Sequence, residues 1–116
     1  MKILGIDVDV VKNKRIKVLI NSKFFLKRTF GLKELKFSKK FSNKTNYFAK
    51  RFAAKEALAK SLGTGFRNNL NFRDIQILND KIGKPYYFKS KKIDNIVNKR
   101  FKIKNYNLFL SISDEK

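Results

Sequence analysis

Acidic side chains are scarce in this sequence, nine against 29 lysines and arginines, so the placing of each one carries information. Asp7 and Asp9 stand two apart in Gly5-Ile6-Asp7-Val8-Asp9-Val10-Val11, and Glu56 lies far along the chain in Ala54-Lys55-Glu56-Ala57. Carboxylates drawn from separate elements suit magnesium, which prefers oxygen ligands, accepts one or two carboxylates and fills its remaining positions with water and substrate phosphates. Histidine and cysteine are both absent. That excludes imidazole catalysis, thiolate nucleophiles, disulfides and sulfur metal sites, and any metal must be held by oxygen. Two plainer readings stand beside this one: a strand aspartate that is solvated or salt-bridged, and a Glu56 that pairs with Lys60 one helical turn on.

The glycines offer the same kind of choice. Gly63-Thr64-Gly65 follows a helical stretch and reads either as its C-terminal cap or as a loop that lets backbone approach a phosphate closely. Asn79-Asp80 followed by Gly83-Lys84-Pro85 reads as a turn, glycine supplying positive φ and proline stiffening entry into the next strand. The formal charge of +20 and 14% aromatic content fit a nucleic-acid binder, a partner for an acidic protein or an enzyme of polyphosphate substrates. A lysine- and asparagine-rich composition explains much of that charge by itself. The aromatic-basic runs Tyr86-Tyr87-Phe88-Lys89 and Phe101-Lys102-Ile103-Lys104 suit base stacking, although aromatics in short strands more often pack a core.

The elements that must position these groups follow from periodicity. Ile3 to Val11 alternates with Leu4, Ile6, Val8 and Val10 on one side and Gly5, Asp7 and Asp9 on the other, predicting a strand with two carboxylates on one face. Residues 12 to 40 predict one or two short amphipathic helices broken near Asn21-Ser22 and Phe30-Gly31. The clearest helix runs from Tyr47 to Leu62, with Thr45-Asn46 as N-cap candidates and Gly63 as its stop. Arg51 and Lys55 fall in its apolar sector, where their stems would snorkel. Asp74 to Leu78 and Tyr86 to Phe88 predict a hairpin, 89 to 104 a short exposed helix, and Asn107 to Ser113 a last strand. The 116 residues make one domain with a single core. No apolar run is long enough to span a membrane and no signal-peptide core opens the chain, so a cytoplasmic protein is expected.

In order along the chain, these pieces resemble one family, the holo-acyl-carrier-protein synthases, which are small 4′-phosphopantetheinyl transferases. Gly5-Ile6-Asp7-Val8-Asp9-Val10-Val11 with Arg15-Ile16 is similar to the family's opening G-I-G-x-D-I-V…R-I. Phe48-Ala49-Lys50-Arg51-Phe52-Ala53-Ala54-Lys55-Glu56-Ala57, then Lys60 and Gly63-Thr64-Gly65, resembles its signature helix R-F-A-x-K-E-A…K…G-T-G. Asn79-Asp80 with Gly83-Lys84-Pro85 resembles its hairpin turn, and Leu110-Ser111-Ile112-Ser113-Asp114-Glu115 its final S-x-S/A-H/D stretch.

The resemblance implies an α+β fold, a long central helix packed on a small antiparallel sheet, spanning 1–116 and short at its C-terminus, where the family's chains continue into another strand. It implies magnesium-dependent transfer of the 4′-phosphopantetheine arm from coenzyme A to a serine of apo-acyl carrier protein, a step in fatty acid synthesis that releases adenosine 3′,5′-bisphosphate. Asp9 and Glu56 would be the metal ligands, and both would be catalytic together with Lys60, which would face the pyrophosphate. Arg51, Gly63 and Thr64 would complete the coenzyme A site, and Arg15 would contact the acidic carrier protein. Asp7 stands where the family has glycine and competes with Asp9 as ligand, although alignment on Arg15-Ile16 favours Asp9. The role of Asp114, where many members have histidine, stays open. A homotrimer with active sites between subunits is also implied. The alternatives are a basic nucleic-acid-binding module and an inactive family member that binds carrier protein.

Overall fold

The computed structural model describes residues 2–6, 13–66 and 69–112, and at 2–6, 13 and 14 only their backbone. Strand β1 (Lys2–Ile6) is followed by three short helices, α1 (Asn13–Leu19), α2 (Lys23–Thr29) and α3 (Leu32–Phe37), and a 3₁₀ turn at Ser38–Lys40. The long helix α4 (Lys44–Ser61) leads through a second 3₁₀ turn (Phe72–Asp74) into strands β2 (Ile77–Asn79) and β3 (Pro85–Tyr87). Helix α5 (Lys91–Phe101) and strand β4 (Tyr106–Leu110) close the fold.

Capping explains the breaks in the N-terminal half. The Ser22 hydroxyl accepts from Phe25 N at 3.2 Å and starts α2, and Glu34 accepts from Gly31 N at 2.9 Å to fix the start of α3. Both breaks stand where the sequence placed them. Helix α4 begins earlier than expected, because Asn43 is its cap: Asn43 Oδ1 accepts from Asn46 N at 3.0 Å, which puts Thr45 and Asn46 inside the first turn.

Helix α4 serves two clusters of buried side chains. Its first half contributes Tyr47, Phe48 and Ala49 to a group with Ile16, Phe30 and Phe41. Its second half contributes Ala54, Leu58 and Ala59 to a group with Leu70, Ile75, Ile77, Tyr87, Ile93, Val97 and Tyr106. The second cluster corrects the reading of 89 to 104: α5 is docked rather than exposed, since Ile93 and Val97 are completely buried.

The strands form two ribbons. β2 and β3 pair antiparallel, Ile77 opposite Tyr87, as the turn sequence predicts. β1 and β4 pair in parallel, Lys2 opposite Tyr106 through Ile6 opposite Leu110. Parallel pairing needs a long crossover, and here nearly the whole chain supplies it. The described part of the first strand ends at Ile6; Asp7 to Val11 lie outside the described residues.

Candidate functional site

Helix α4 packs on α1, on β1 and on the 3₁₀ turn at Phe72–Asp74. Its side chains sort by azimuth at about 100° per residue. Lys55 points inward and is fully buried, while Glu56 is half-buried and Lys60, one turn on, is exposed. Among the described residues Glu56 makes no hydrogen bond and no ion pair, so the local Glu56–Lys60 bridge does not form. Its carboxylate is, among the described residues, an unengaged oxygen donor on the helix that packs on β1; in sequence Asp7 and Asp9 follow β1. Those two acids, like Asp114, lie outside the described residues. An unengaged carboxylate fits a hard cation completed by water and phosphate oxygens.

The snorkelling expected for Lys55 and Arg51 gives way to full burial with partners from distant segments. Lys55 Nζ donates to Glu34 Oε1 at 2.8 Å, to Phe72 O at 3.1 Å and to Ile75 O. Three acceptors match the three donors of an ammonium group. Burial lowers the Lys55 pKa below the usual lysine value, and the Glu34 carboxylate pulls the other way. Arg51 has its guanidinium carbon 4.0 Å from the Tyr47 ring centroid, and its Nη2 donates to Asn79 Oδ1 at 3.2 Å. Asn79 Nδ2 donates in turn to Gly83 O at 2.9 Å, while Asp80 Oδ1 accepts from Ile82 N and Lys84 N at 3.0 and 2.8 Å. The hairpin turn is thus built by its own side chains and anchored to α4 through Arg51.

At the other end of α4, Gly63 N donates to Lys60 O at 2.9 Å and Gly65 N to Ala59 O at 3.0 Å, with φ at +79° and +55°. The glycines therefore do form the helix cap. A Cβ on Gly63 would lie 2.4 Å from Arg100 Nε, so the exposed Arg100 side chain would have to shift to admit one. Thr64 lines a 550 Å³ cleft with Asn95, Ile96, Lys99 and Arg100 of α5. Lys99 and Arg100 were not singled out from the sequence, where they sit in an undifferentiated basic run.

Arg15 is exposed on α1 and stands on the rim of a 770 Å³ cleft. Phe25, Phe52, Phe66 and Phe72 line it, and Phe52 stacks on Phe72 at 4.7 Å and 14°. Lys27, Arg28 and Arg73 add to the cationic rim, and the single acid, Asp74, is already paired with Lys92 at 2.8 Å. The structure thus groups Glu56, Lys60 and the Gly63-Thr64 cap along one helix, sets Arg15 at a separate cleft, and places Arg51 in the interior.

Comparison with known proteins gives this arrangement its setting. The sequence model of the 4′-phosphopantetheinyl transferase superfamily matches residues 3–110. A holo-[acyl-carrier-protein] synthase of Pelagibacter ubique is 56% identical over 116 residues, covering 100% of this chain and 91% of that one. The crystal structure of holo-[acyl-carrier-protein] synthase from Neisseria meningitidis superposes with a TM-score of 0.70 at 38% identity, over 84% of this chain and 79% of that one. A holo-(acyl-carrier-protein) synthase from Bacillus anthracis, solved in complex with CoA (3′,5′-ADP), gives a TM-score of 0.64 at 36% identity, over 75% and 76% of the two chains.

Proposed function

The chain belongs to the 4′-phosphopantetheinyl transferase superfamily, and from that membership we propose that it transfers the 4′-phosphopantetheine group from coenzyme A to a serine of apo-acyl carrier protein, with magnesium. The serine hydroxyl gives up its proton to a water molecule as its oxygen forms a bond to the phosphorus that carries the pantetheine arm. The bridging P–O bond of the pyrophosphate breaks, and adenosine 3′,5′-bisphosphate leaves with the electron pair. Transfers of this kind rest mostly on positioning and charge neutralisation, which suits a chain without histidine or cysteine.

The observation that carries the reading is helix α4, on which the Glu56 carboxylate, unpartnered among the described residues, and the exposed Lys60 precede the Gly63-Thr64-Gly65 cap. Glu56 and Asp9 would hold the magnesium. When bound, the ion supplies charge neutralisation at the pyrophosphate and the departing phosphate. Lys60 places a mobile cation over the same phosphates, and Thr64 offers a hydroxyl from the cap. Arg51 serves the donor site from beneath, holding the Asn79–Gly83 turn against α4.

Arg15 receives the carrier protein. The support is charge complementarity: a cationic rim around an aromatic floor suits an acidic helix that inserts an apolar side chain. Association of three copies is part of the proposal, and exposed Ile82, Phe88 and Phe109 on β4 and near the hairpin offer apolar surface for it. Among the described residues no helix is long and apolar enough to cross a membrane; the cytoplasm and fatty acid synthesis are the proposed setting.

The test is intact mass of apo-acyl carrier protein after incubation with the protein, coenzyme A and magnesium. The expected result is a gain of about 340 Da, one phosphopantetheine arm, that disappears with a chelator. No gain from folded protein would reject the assignment.

A further inference from the structure

The magnesium ligand proposed above sits directly after a residue whose environment is unusual in its own right. Lys55 and Glu34 form an ion pair with both side chains at 0% exposure. Their contacts reach beyond each other. Glu34 also accepts from Gly31 N at 2.9 Å, at the start of α3, and from Ile77 N at 3.2 Å, in β2. Lys55 donates to two carbonyls of one further stretch, Phe72 at the start of the second 3₁₀ turn and Ile75 just after it. A single pair therefore joins α3, α4 and β2.

Burying two charges is costly, and replacing such pairs with apolar groups is often neutral or stabilising, so stability alone is a weak reason for this one. The packing around it supplies a better reason. Within one turn of residue 55 the buried face of α4 is made of Arg51, Ala53, Ala54, Leu58 and Ala59, and Arg51 makes a directional bond of its own to Asn79. The three alanines offer no side chain beyond Cβ to set the roll of the helix about its axis, so the directional groups on this face carry that task. Directional hydrogen bonds define it well. Lys55 and Glu56 are consecutive, so their side chains leave the axis about 100° apart. Fixing Lys55 on Glu34 and on two carbonyls of the Phe72–Ile75 stretch fixes the direction of Glu56. The Tyr87 hydroxyl, which donates to Ala54 O, holds the same turn from the hairpin.

We propose that the buried Glu34–Lys55 pair is a positioning device that sets the roll of α4 and so aims the Glu56 carboxylate at its metal. This rests on the magnesium reading of Glu56. Residues behind a metal ligand typically change metal affinity by about 10- to 100-fold when altered.

The test measures Mn²⁺ binding by electron paramagnetic resonance in the presence of adenosine 3′,5′-bisphosphate, alongside thermal unfolding and the Michaelis constants for coenzyme A and magnesium. The informative variant is Glu34→Gln/Lys55→Met. It leaves no uncompensated buried charge, and glutamine keeps an acceptor for Gly31 N or Ile77 N. The expected result is a cooperatively folded protein whose Mn²⁺ dissociation constant and magnesium half-saturation rise by about tenfold or more, with the Michaelis constant for coenzyme A changed far less. Lys55→Arg is the second variant. It keeps the cation with a planar head that cannot reproduce all three contacts, and the same weakening of metal binding is expected. Wild-type metal affinity in either folded variant would overturn the positioning role. Glu56→Gln separates the two levels of argument: if it binds Mn²⁺ as well as the wild type, the magnesium reading fails and the positioning role falls with it. If Glu56→Gln loses the metal while the paired variants keep it, only the positioning role is lost.

Discussion

Arg51 and Asn79, 28 residues apart, are joined by a 3.2 Å hydrogen bond that ties the interior of α4 to the turn between β2 and β3. Asn79→Ala removes this bond and the one to Gly83 O. Two lost bonds, one of them to a charged donor, are expected to cost about 2–3 kcal/mol, read by urea unfolding. A rise in the Michaelis constant for coenzyme A is expected beside it, because the Gly83-Lys84-Pro85 turn loses its anchor. An unchanged unfolding midpoint would show that the turn holds itself through Asp80 alone.

Glu56→Gln is expected to leave unfolding within about 0.5 kcal/mol of the parent, since the side chain is half-buried and unpartnered among the described residues. Turnover is expected to fall by about 10²-fold or more, the scale of losing several kcal/mol of metal-borne charge stabilisation. Asp9→Asn should behave likewise and Asp7→Asn more mildly. The reverse order would move the ligand two residues along the strand.

Gly63 and Gly65 both have positive φ, yet they differ in their surroundings. A Cβ on Gly63 meets the Arg100 side chain, whereas one on Gly65 meets nothing within 4 Å. Gly63→Ala is therefore expected to destabilise by about 1–2 kcal/mol, and Gly65→Ala by less, in thermal or urea unfolding. Equal losses would show that Arg100 moves aside freely.

Arg15→Glu is expected to raise the Michaelis constant for carrier protein by about tenfold, with that for coenzyme A unchanged, and the difference should shrink as salt is added. The exposed position makes a folding defect a poor explanation of such a result. Equal effects on both substrates would remove Arg15 from the acceptor surface.

The local signals in the sequence were sound where the structure is made locally. Ser22 and Gly31 break the early helices, Gly63 ends α4, and Asp80 with Gly83 builds the turn between β2 and β3. The start of α4 was misplaced by a few residues because Asn43, Thr45 and Asn46 are all good caps and only backbone geometry chooses among them. What periodicity cannot express is a partner far along the chain. Lys55 reads as a snorkelling stem in the apolar sector until Glu34 is seen beside it, and Arg51 until Asn79 is. The parallel pairing of β1 with β4 was equally hidden, because alternation fixes the face of a strand and says nothing of its neighbour. For the site, Glu56, Lys60 and the glycine cap were legible as a motif on one helix. Lys99 and Arg100 were not, since tertiary folding alone brings α5 to Thr64.

The parallel register of β1 with β4, Lys2 opposite Tyr106 and Ile6 opposite Leu110, also sets an order of events during synthesis. The strand that precedes Asp9 in sequence leaves the ribosome about 100 residues before its hydrogen-bonding partner. Closing a loop of about 100 residues carries an entropic cost that grows only slowly with length, but such distant pairing makes folding slow. The helical middle can form while translation continues. The strand that precedes the first of the proposed metal ligands in sequence must wait for its partner, so a nascent chain has its signature helix before β1 is paired.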